Sequence, residues 1–202
     1  MVSERVSSGH TSSGSDEVTR EAVLRARAAI AEHERTVPDF PKPGILFRDL
    51  TPVLADTEGF SSIVTALTHG CSGVDLVAGI DARGFLVGGA VAQELEVGIL
   101  AVRKGGKLPP PVYGVDYDLE YGTGRLEIPA SGIDITGRRV LIVDDVLATG
   151  GTAVAASKLM GLAGASVVGV AVIMELADLG GRARIAAELG PDVSLHAITD
   201  DR

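Results

Sequence analysis

Val140-Leu141-Ile142-Val143-Asp144-Asp145-Val146-Leu147-Ala148-Thr149-Gly150-Gly151-Thr152 is the stretch that decides the fold. A strand is expected over 139–143, where Val140-Leu141-Ile142-Val143 form an aliphatic run with no polar alternation, the pattern of a parallel strand buried on both faces. Two adjacent carboxylates, Asp144 and Asp145, follow the run, and small residues then lead into a helix predicted over 151–162. In open α/β sheets, ligands bind at the carboxyl ends of the strands. Backbone N–H groups at a glycine-rich turn and helix start favour an anion. Two acids beside a phosphate cradle do not serve the phosphate. They suit hydroxyl donors on the same ligand, so the segment asks for a sugar phosphate.

Working outward, a strand–helix alternation surrounds this unit. Strands are expected over 75–80, 98–102, 167–174 and 193–198, and helices over 84–95 and 179–189. Such alternation with apolar strands implies an α/β fold with a mainly parallel central sheet flanked by helices. Residues 117–121 and 125–128 read as a hairpin around Gly122-Thr123-Gly124, and the Gly- and Pro-rich segment 105–114 before it suits a flexible lid. Upstream, helical spacing of Val18, Ala22, Ala26, Ala29, Ile30 and His33 predicts a helix from 16 to about 35, and Phe60, Ile63, Val64 and Leu67 predict a second over 57–69. Between them three prolines in Pro38-Asp39-Phe40-Pro41-Lys42-Pro43 forbid helix and stiffen an extended arm. Residues 1–15 are Ser/Gly-rich and read as a disordered extension; residues 16–202 are expected to form one domain, with a small hood at about 36–55.

Composition narrows the function classes. The formal net charge of −9 argues against nucleic-acid or anionic-membrane partners. With Cys71 alone no intrachain disulfide can form, which fits a reducing compartment. The N-terminus lacks the apolar core of a secretory signal, and the longest apolar stretch, 159–174, is broken by three glycines and a serine, so a cytoplasmic protein is expected. No Gly-x-x-x-x-Gly-Lys-[Ser/Thr] and no Gly-x-Gly-x-x-Gly opening a helix after a strand occurs, which disfavours an NTPase or a dinucleotide-binding fold. The four histidines fall in no motif, and Asp39, Asp49 and the acidic C-terminus show no metal-ligand spacing, so no protein-built metal site is expected.

Two further stretches place cations at strand ends. Asp81-Ala82-Arg83-Gly84-Phe85 follows the strand ending at Ile80, and Arg103-Lys104-Gly105-Gly106-Lys107 puts three cations in five residues of an acidic chain. The turn Ala148-Thr149-Gly150-Gly151-Thr152 would hold one phosphate on backbone N–H groups, while Arg83, Arg103, Lys104 and Lys107 would hold a second, more highly charged one. Asp144 and Asp145 lie between. A ribose bearing a 5′-phosphate and a 1′-pyrophosphate has this arrangement.

Here the sequence resembles the type I phosphoribosyltransferases, over about residues 37–181. The stretch Asp144–Thr152 is similar to the family's phosphoribosyl-pyrophosphate loop. Resemblance to the adenine-specific branch rests on Phe40-Pro41-Lys42-Pro43-Gly44-Ile45-Leu46-Phe47-Arg48-Asp49, on the two cationic stretches and on Leu119-Glu120-Tyr121-Gly122, in matching order. The resemblance implies a type I phosphoribosyltransferase fold. It implies transfer of the phosphoribosyl group from phosphoribosyl pyrophosphate to adenine, giving AMP and pyrophosphate in purine salvage. Mg²⁺ would be bound mainly through substrate oxygens, in a homodimer. It implies that Glu120 is the catalytic carboxylate facing the imidazole edge of the base. It also implies that backbone groups near Leu46 and Arg48 read the amino and N1 edge of adenine, while Phe47 and Leu147 sandwich the ring. A buried donor–acceptor mismatch with another purine discriminates by ~10⁴-fold or more. An enzyme for another purine, or a non-catalytic sensor of phosphoribosyl pyrophosphate, are the alternatives; a sensor would be expected to lack the hood or Glu120 and to carry a basic nucleic-acid module. The proline-rich segment 109–117 and the N-terminal extension depart from the family pattern.

Overall fold

The aliphatic run does lie at the centre of a sheet. The computed structural model describes residues 12–40, 42–119 and 122–201. Its elements are α1 (Ser12–His33), β1 (Arg35–Pro38), β2 (Leu46–Asp49), α2 (Thr51–Ala55), α3 (Thr57–Thr68), β3 (Leu76–Ile80), α4 (Arg83–Glu94), β4 (Gly98–Lys104) and β5 (Val112–Leu119), followed by β6 (Gly122–Pro129), β7 (Arg139–Leu147), α5 (Gly151–Leu162), β8 (Ser166–Glu175), a 3₁₀ turn (Ala177–Leu179), α6 (Gly181–Leu189) and β9 (Ser194–Asp200). Seven strands form one sheet in the order β5-β6-β4-β3-β7-β8-β9. The five strands from β4 to β9 pair in parallel, and the β5–β6 hairpin joins β4 antiparallel.

β7 shows why the strand needs no polar alternation. Val140 and Ile142 pack into one core with Leu159, Met160 and Val170, while Leu141 and Val143 pack into a second with Ile30, Leu67, Val87 and Ile173. Each fully buried aliphatic side chain contributes about 1.5–3 kcal/mol. α1 turns Ala22, Ala26 and Ile30 inward at the expected spacing. α3 is capped by Asp56, whose Oδ2 accepts from the Gly59 N–H at 2.7 Å, and buries Ile63, Val64 and Leu67.

Several boundaries differ from expectation, each for a physical reason. β7 continues to Leu147 instead of stopping at Val143, because β8 keeps pairing beside it (Asp144↔Val172, Val146↔Met174, Leu147↔Glu175). The two acids therefore sit within the strand. The hairpin is longer than predicted: Gly122-Thr123-Gly124 is ladder, with Tyr117↔Gly124 and Leu119↔Gly122. A Cβ on Gly124 would lie 2.8 Å from the Tyr117 ring, so glycine is there to admit the aromatic side chain and makes no turn. β5 also takes in residues 112–114 of the expected lid. α1 begins at Ser12, within the segment whose composition reads as disordered. The arm is a two-stranded hairpin, β1 against β2, followed by the short helix α2. The last helix begins at Gly181, after a 3₁₀ turn that accounts for Leu179.

Candidate active site

Two cavities open at the carboxyl edge of the sheet, and they share Asp144 and Thr152. The larger, about 800 Å³, is lined by Asp81, Ala82, Arg83, Lys104, Tyr117, Arg125, Asp144 and Asp145 among others. The second, about 440 Å³, is lined by Val146, Leu147, Ala148, Thr149, Gly150 and Thr152 together with Lys42, Ile45 and Asp118. One cavity is thus rich in cations and acids, and the other joins the glycine turn before α5 to apolar walls.

Close backbone packing creates this arrangement. α4 begins against β7, where a Cβ on Gly84 would stand 2.7 Å from Val143 O and 3.1 Å from Asp144 Oδ1. The helix start, with Arg83 as its first residue, therefore sits directly beside the two acids. The turn before α5 is supported from the other side: a Cβ on Gly181 would lie 2.3 Å from Ala148 O. Gly150, at φ 79°, takes the left-handed conformation that brings the backbone round into α5.

The acids are differently engaged. Asp145 is buried and ion-paired with Arg83. Asp144 Oδ1 accepts from the Asp145 backbone N–H at 2.9 Å. Desolvation, and then the neighbouring Asp145 charge, hold the Asp144 carboxyl well above the usual carboxylate range, with Arg83 opposing more weakly. Such a perturbed acid in a cleft is a mark of functional sites. Arg83 also stands over the Phe47 ring, 5.6 Å from its centroid, and Phe40 meets Phe47 edge-on at 5.1 Å.

Of the residues singled out in the sequence, Asp144, Asp145, Ala148, Thr149, Gly150, Thr152, Leu147, Arg83 and Lys104 line one or both cavities. Gly151 starts α5 just behind the turn. Arg103 does not line them: its Nε donates to Asp81 Oδ2 at 3.0 Å and its guanidinium lies 5.6 Å from the Phe85 ring centroid. Lys107 is exposed and outside both linings. Leu46, Phe47 and Arg48 line neither cavity; Phe47 meets the cleft only through Arg83, Arg48 pairs with Glu34, and the hood reaches the second cavity through Lys42 and Ile45. Glu120 lies outside the described residues.

Sequence reasoning passes over Arg125, Tyr117 and Gly181. Arg125 enters the larger cavity from β6, where it also pairs with Asp116 and Glu127 at 3.0 Å each. Period-2 alternation in the hairpin is its available signal, obscured when 122–124 is read as the turn.

A parallel sheet whose carboxyl edge joins a glycine turn, a diacid and a cationic cleft is the architecture of a phosphoribosyltransferase, and a family model described as "Phosphoribosyl transferase domain" matches residues 54–198. The adenine phosphoribosyltransferase of Mycolicibacterium vanbaalenii is 62% identical over 151 residues, 75% of this chain and 87% of its own. That of Mycolicibacterium smegmatis is 62% identical over 169 residues, 84% of this chain and 93% of its own. The crystal structure of the Rhodothermus marinus adenine phosphoribosyltransferase superposes with a TM-score of 0.79 at 43% identity, covering 88% of this chain and 99% of that one. The Saccharomyces cerevisiae enzyme, solved with adenine and an imino-altritol bisphosphate, gives a TM-score of 0.77 at 32% identity, with 87% and 98% covered. The chain belongs to the adenine phosphoribosyltransferase family.

Proposed function

We propose that the two cavities form a single active site in which the family's reaction, adenine plus phosphoribosyl pyrophosphate giving AMP and pyrophosphate, is carried out by the residues named above. The observation that carries this reading is the sharing of Asp144 and Thr152 between the cationic cleft and the anion turn. A pentose bridging the two cavities has its diol over the acids and a charged group at either end.

In this reading the turn Ala148–Thr152 binds the 5′-phosphate through backbone N–H groups and the start of α5. Asp144 and Asp145 accept from the ribose hydroxyls, and their charge favours the cationic character that develops at C1′. Arg83, Lys104 and Arg125 bind the leaving pyrophosphate from within the cleft, with Arg103 and Lys107 at its margin. Leu147 supplies one wall for adenine and Phe47 the other, while the backbone near Leu46 and Arg48 reads the base edge. Glu120 takes up or relays the proton at the imidazole edge.

Mg²⁺ fits this donor set as a substrate-held ion. The nearby protein donors are hard carboxylate oxygens, which suit the waters of a hydrated Mg²⁺. Among the described residues no group of three or more His, Cys, Asp or Glu is placed to cage a metal. When bound, the ion would share the charge of the departing pyrophosphate.

A homodimer is part of the same proposal. Leu86 on α4 and Ile99 on β4 are 64% and 45% exposed beside one another's elements, and the exposed face of β4 leads directly to Arg103. A second copy covering that face would bring Arg103 near the neighbouring site, and sedimentation at micromolar concentration tests it. A cytoplasmic setting is proposed on the lone, half-buried Cys71, whose thiol pKa burial raises. No helix among the described residues is long and apolar enough to cross a membrane.

The deciding experiment supplies purified protein with Mg²⁺, phosphoribosyl pyrophosphate and each purine base in turn. AMP from adenine alone supports the proposal. Turnover with a different purine, or tight binding of phosphoribosyl pyrophosphate with no turnover, would replace it with another substrate or with a sensor.

A further inference from the structure

The hood hairpin is tied to the body of the protein through Glu34, which belongs to none of the motifs above. Glu34 extends the last turn of α1, its N–H donating to Ile30 O at 2.8 Å. Its side chain is only 10% exposed and meets Arg48, itself 25% exposed, in an ion pair. Arg48 Nη2 donates to Glu34 Oε2 at 3.2 Å, and Nε, buried and outside hydrogen-bonding geometry, lies against Oε1 as an ion contact. A second pair follows one residue on, Arg35 Nη2 to Asp49 Oδ2 at 3.0 Å, with Arg35 69% exposed. The β1–β2 ladder sets these residues side by side, Arg35↔Asp49 and Thr36↔Arg48. Side chains alternate along a strand, so Phe47 points away from Arg48, and it is Phe47 that meets Arg83.

We propose that Glu34 is a positioning residue for adenine: its largely buried ion pair with Arg48 fixes the angle at which β2 presents the base-reading backbone and the Phe47 ring. The inference rests on the hood being the adenine-binding element, as proposed above. A planar carboxylate–guanidinium pair constrains direction as well as distance. The Arg35–Asp49 pair has one partner largely in solvent, and a single exposed contact of that kind fixes little. Two-stranded ribbons are weak alone, so the orientation of this one depends on its tie to α1. Glu34 touches no cavity, and its loss leaves the cationic cleft and the anion turn intact.

The test is steady-state kinetics on wild type, Glu34→Ala and Glu34→Gln, with calorimetry of phosphoribosyl pyrophosphate on the same proteins. Glu34→Ala is expected to raise KM for adenine about tenfold or more, since a displacement on the order of 1 Å is that costly. Glu34→Gln, which keeps the shape and one acceptor, should raise it less. KM and affinity for phosphoribosyl pyrophosphate should stay within about twofold in both. An unchanged adenine KM, or adenine and phosphoribosyl pyrophosphate KM rising together, would overturn the assignment. Should Glu34→Ala not fold, Glu34→Gln is judged by the same split. A wild type that binds phosphoribosyl pyrophosphate yet makes no AMP removes the functional reading and this inference with it, whereas AMP formation with an unaltered adenine KM in the variants removes only Glu34.

Discussion

Arg83, the first residue of α4, and Asp145, just before the end of β7 at Leu147, are bonded to one another in the lining of the cleft. Each is thereby satisfied by the other, and in the proposed function each also has a ligand group to meet. The guanidinium retains donors beyond the one given to Asp145, and the carboxylate retains lone pairs, so a ribose diol and a pyrophosphate can be accepted while the pair persists. Removing one partner leaves the other charge half-buried and uncompensated.

Asp145→Asn is therefore expected to weaken phosphoribosyl pyrophosphate binding by about 10–100-fold, the size of one or two charge-assisted hydrogen bonds. Calorimetry with Mg²⁺ present measures it. An affinity equal to wild type would remove the diol role from Asp145.

Asp144 gives a prediction of opposite sign for stability. Its pKa in the folded protein is raised, first by desolvation and then by Asp145. The folded state therefore favours the protonated form, and stability is lost as pH rises through the ordinary carboxylate range toward the folded pKa. Asp144→Asn removes that cost while keeping an acceptor for the Asp145 N–H. The ligand-free variant should melt higher than wild type at pH 7.5, by about 2–4 °C for each kcal/mol recovered, and the gap should close near pH 4. The same variant should bind phosphoribosyl pyrophosphate less well. A variant less stable than wild type at both pH values would contradict the account.

The amino-acid sequence already carries much of this. The strand that carries the two acids, the alternation of parallel strands with helices and the glycine turn that opens α5 are legible there, because burial on both faces leaves an aliphatic run so few alternatives. Arg83 and Lys104 are recognisable as cations placed at strand ends. What the chain does not reveal depends on three-dimensional approach. Nothing in the sequence separates Gly124, which admits the Tyr117 ring, from a turn glycine, nor Arg103, held by Asp81, from Lys104, which lines the cleft. Glu34 and Arg48 are fourteen positions apart, and only the hairpin register brings them together.

Glu120 lies outside the described residues, so its prediction rests on the family resemblance. Glu120→Gln keeps the shape of the side chain and removes its basicity. It should lower kcat by roughly 10²-fold or more and leave phosphoribosyl pyrophosphate affinity near wild type. Turnover at the wild-type rate would take Glu120 out of the mechanism.

Gly181 lies 29 residues beyond Thr152, the last residue of the glycine turn, and belongs to none of the motifs, yet it supports that turn. A Cβ there would meet Ala148 O at 2.3 Å and Leu147 Cγ at 2.9 Å. A backbone oxygen cannot swing aside as a side-chain end can, so Gly181→Ala must displace either α6 or the turn. A destabilisation of about 1–3 kcal/mol is expected from the overpacking. Because the displaced backbone carries the N–H groups assigned to the 5′-phosphate, phosphoribosyl pyrophosphate affinity should fall with it, by about tenfold for each 1.4 kcal/mol lost from binding. Gly161→Ala is the matched control. That glycine is exposed on α5 with nothing within 4 Å of a new Cβ, and alanine at an exposed helical site adds about 0.5–1 kcal/mol of stability. Paired chemical denaturation and calorimetry on the two variants separate the effects. Equal affinities in Gly181→Ala and Gly161→Ala would show that the turn does not depend on its contact with α6.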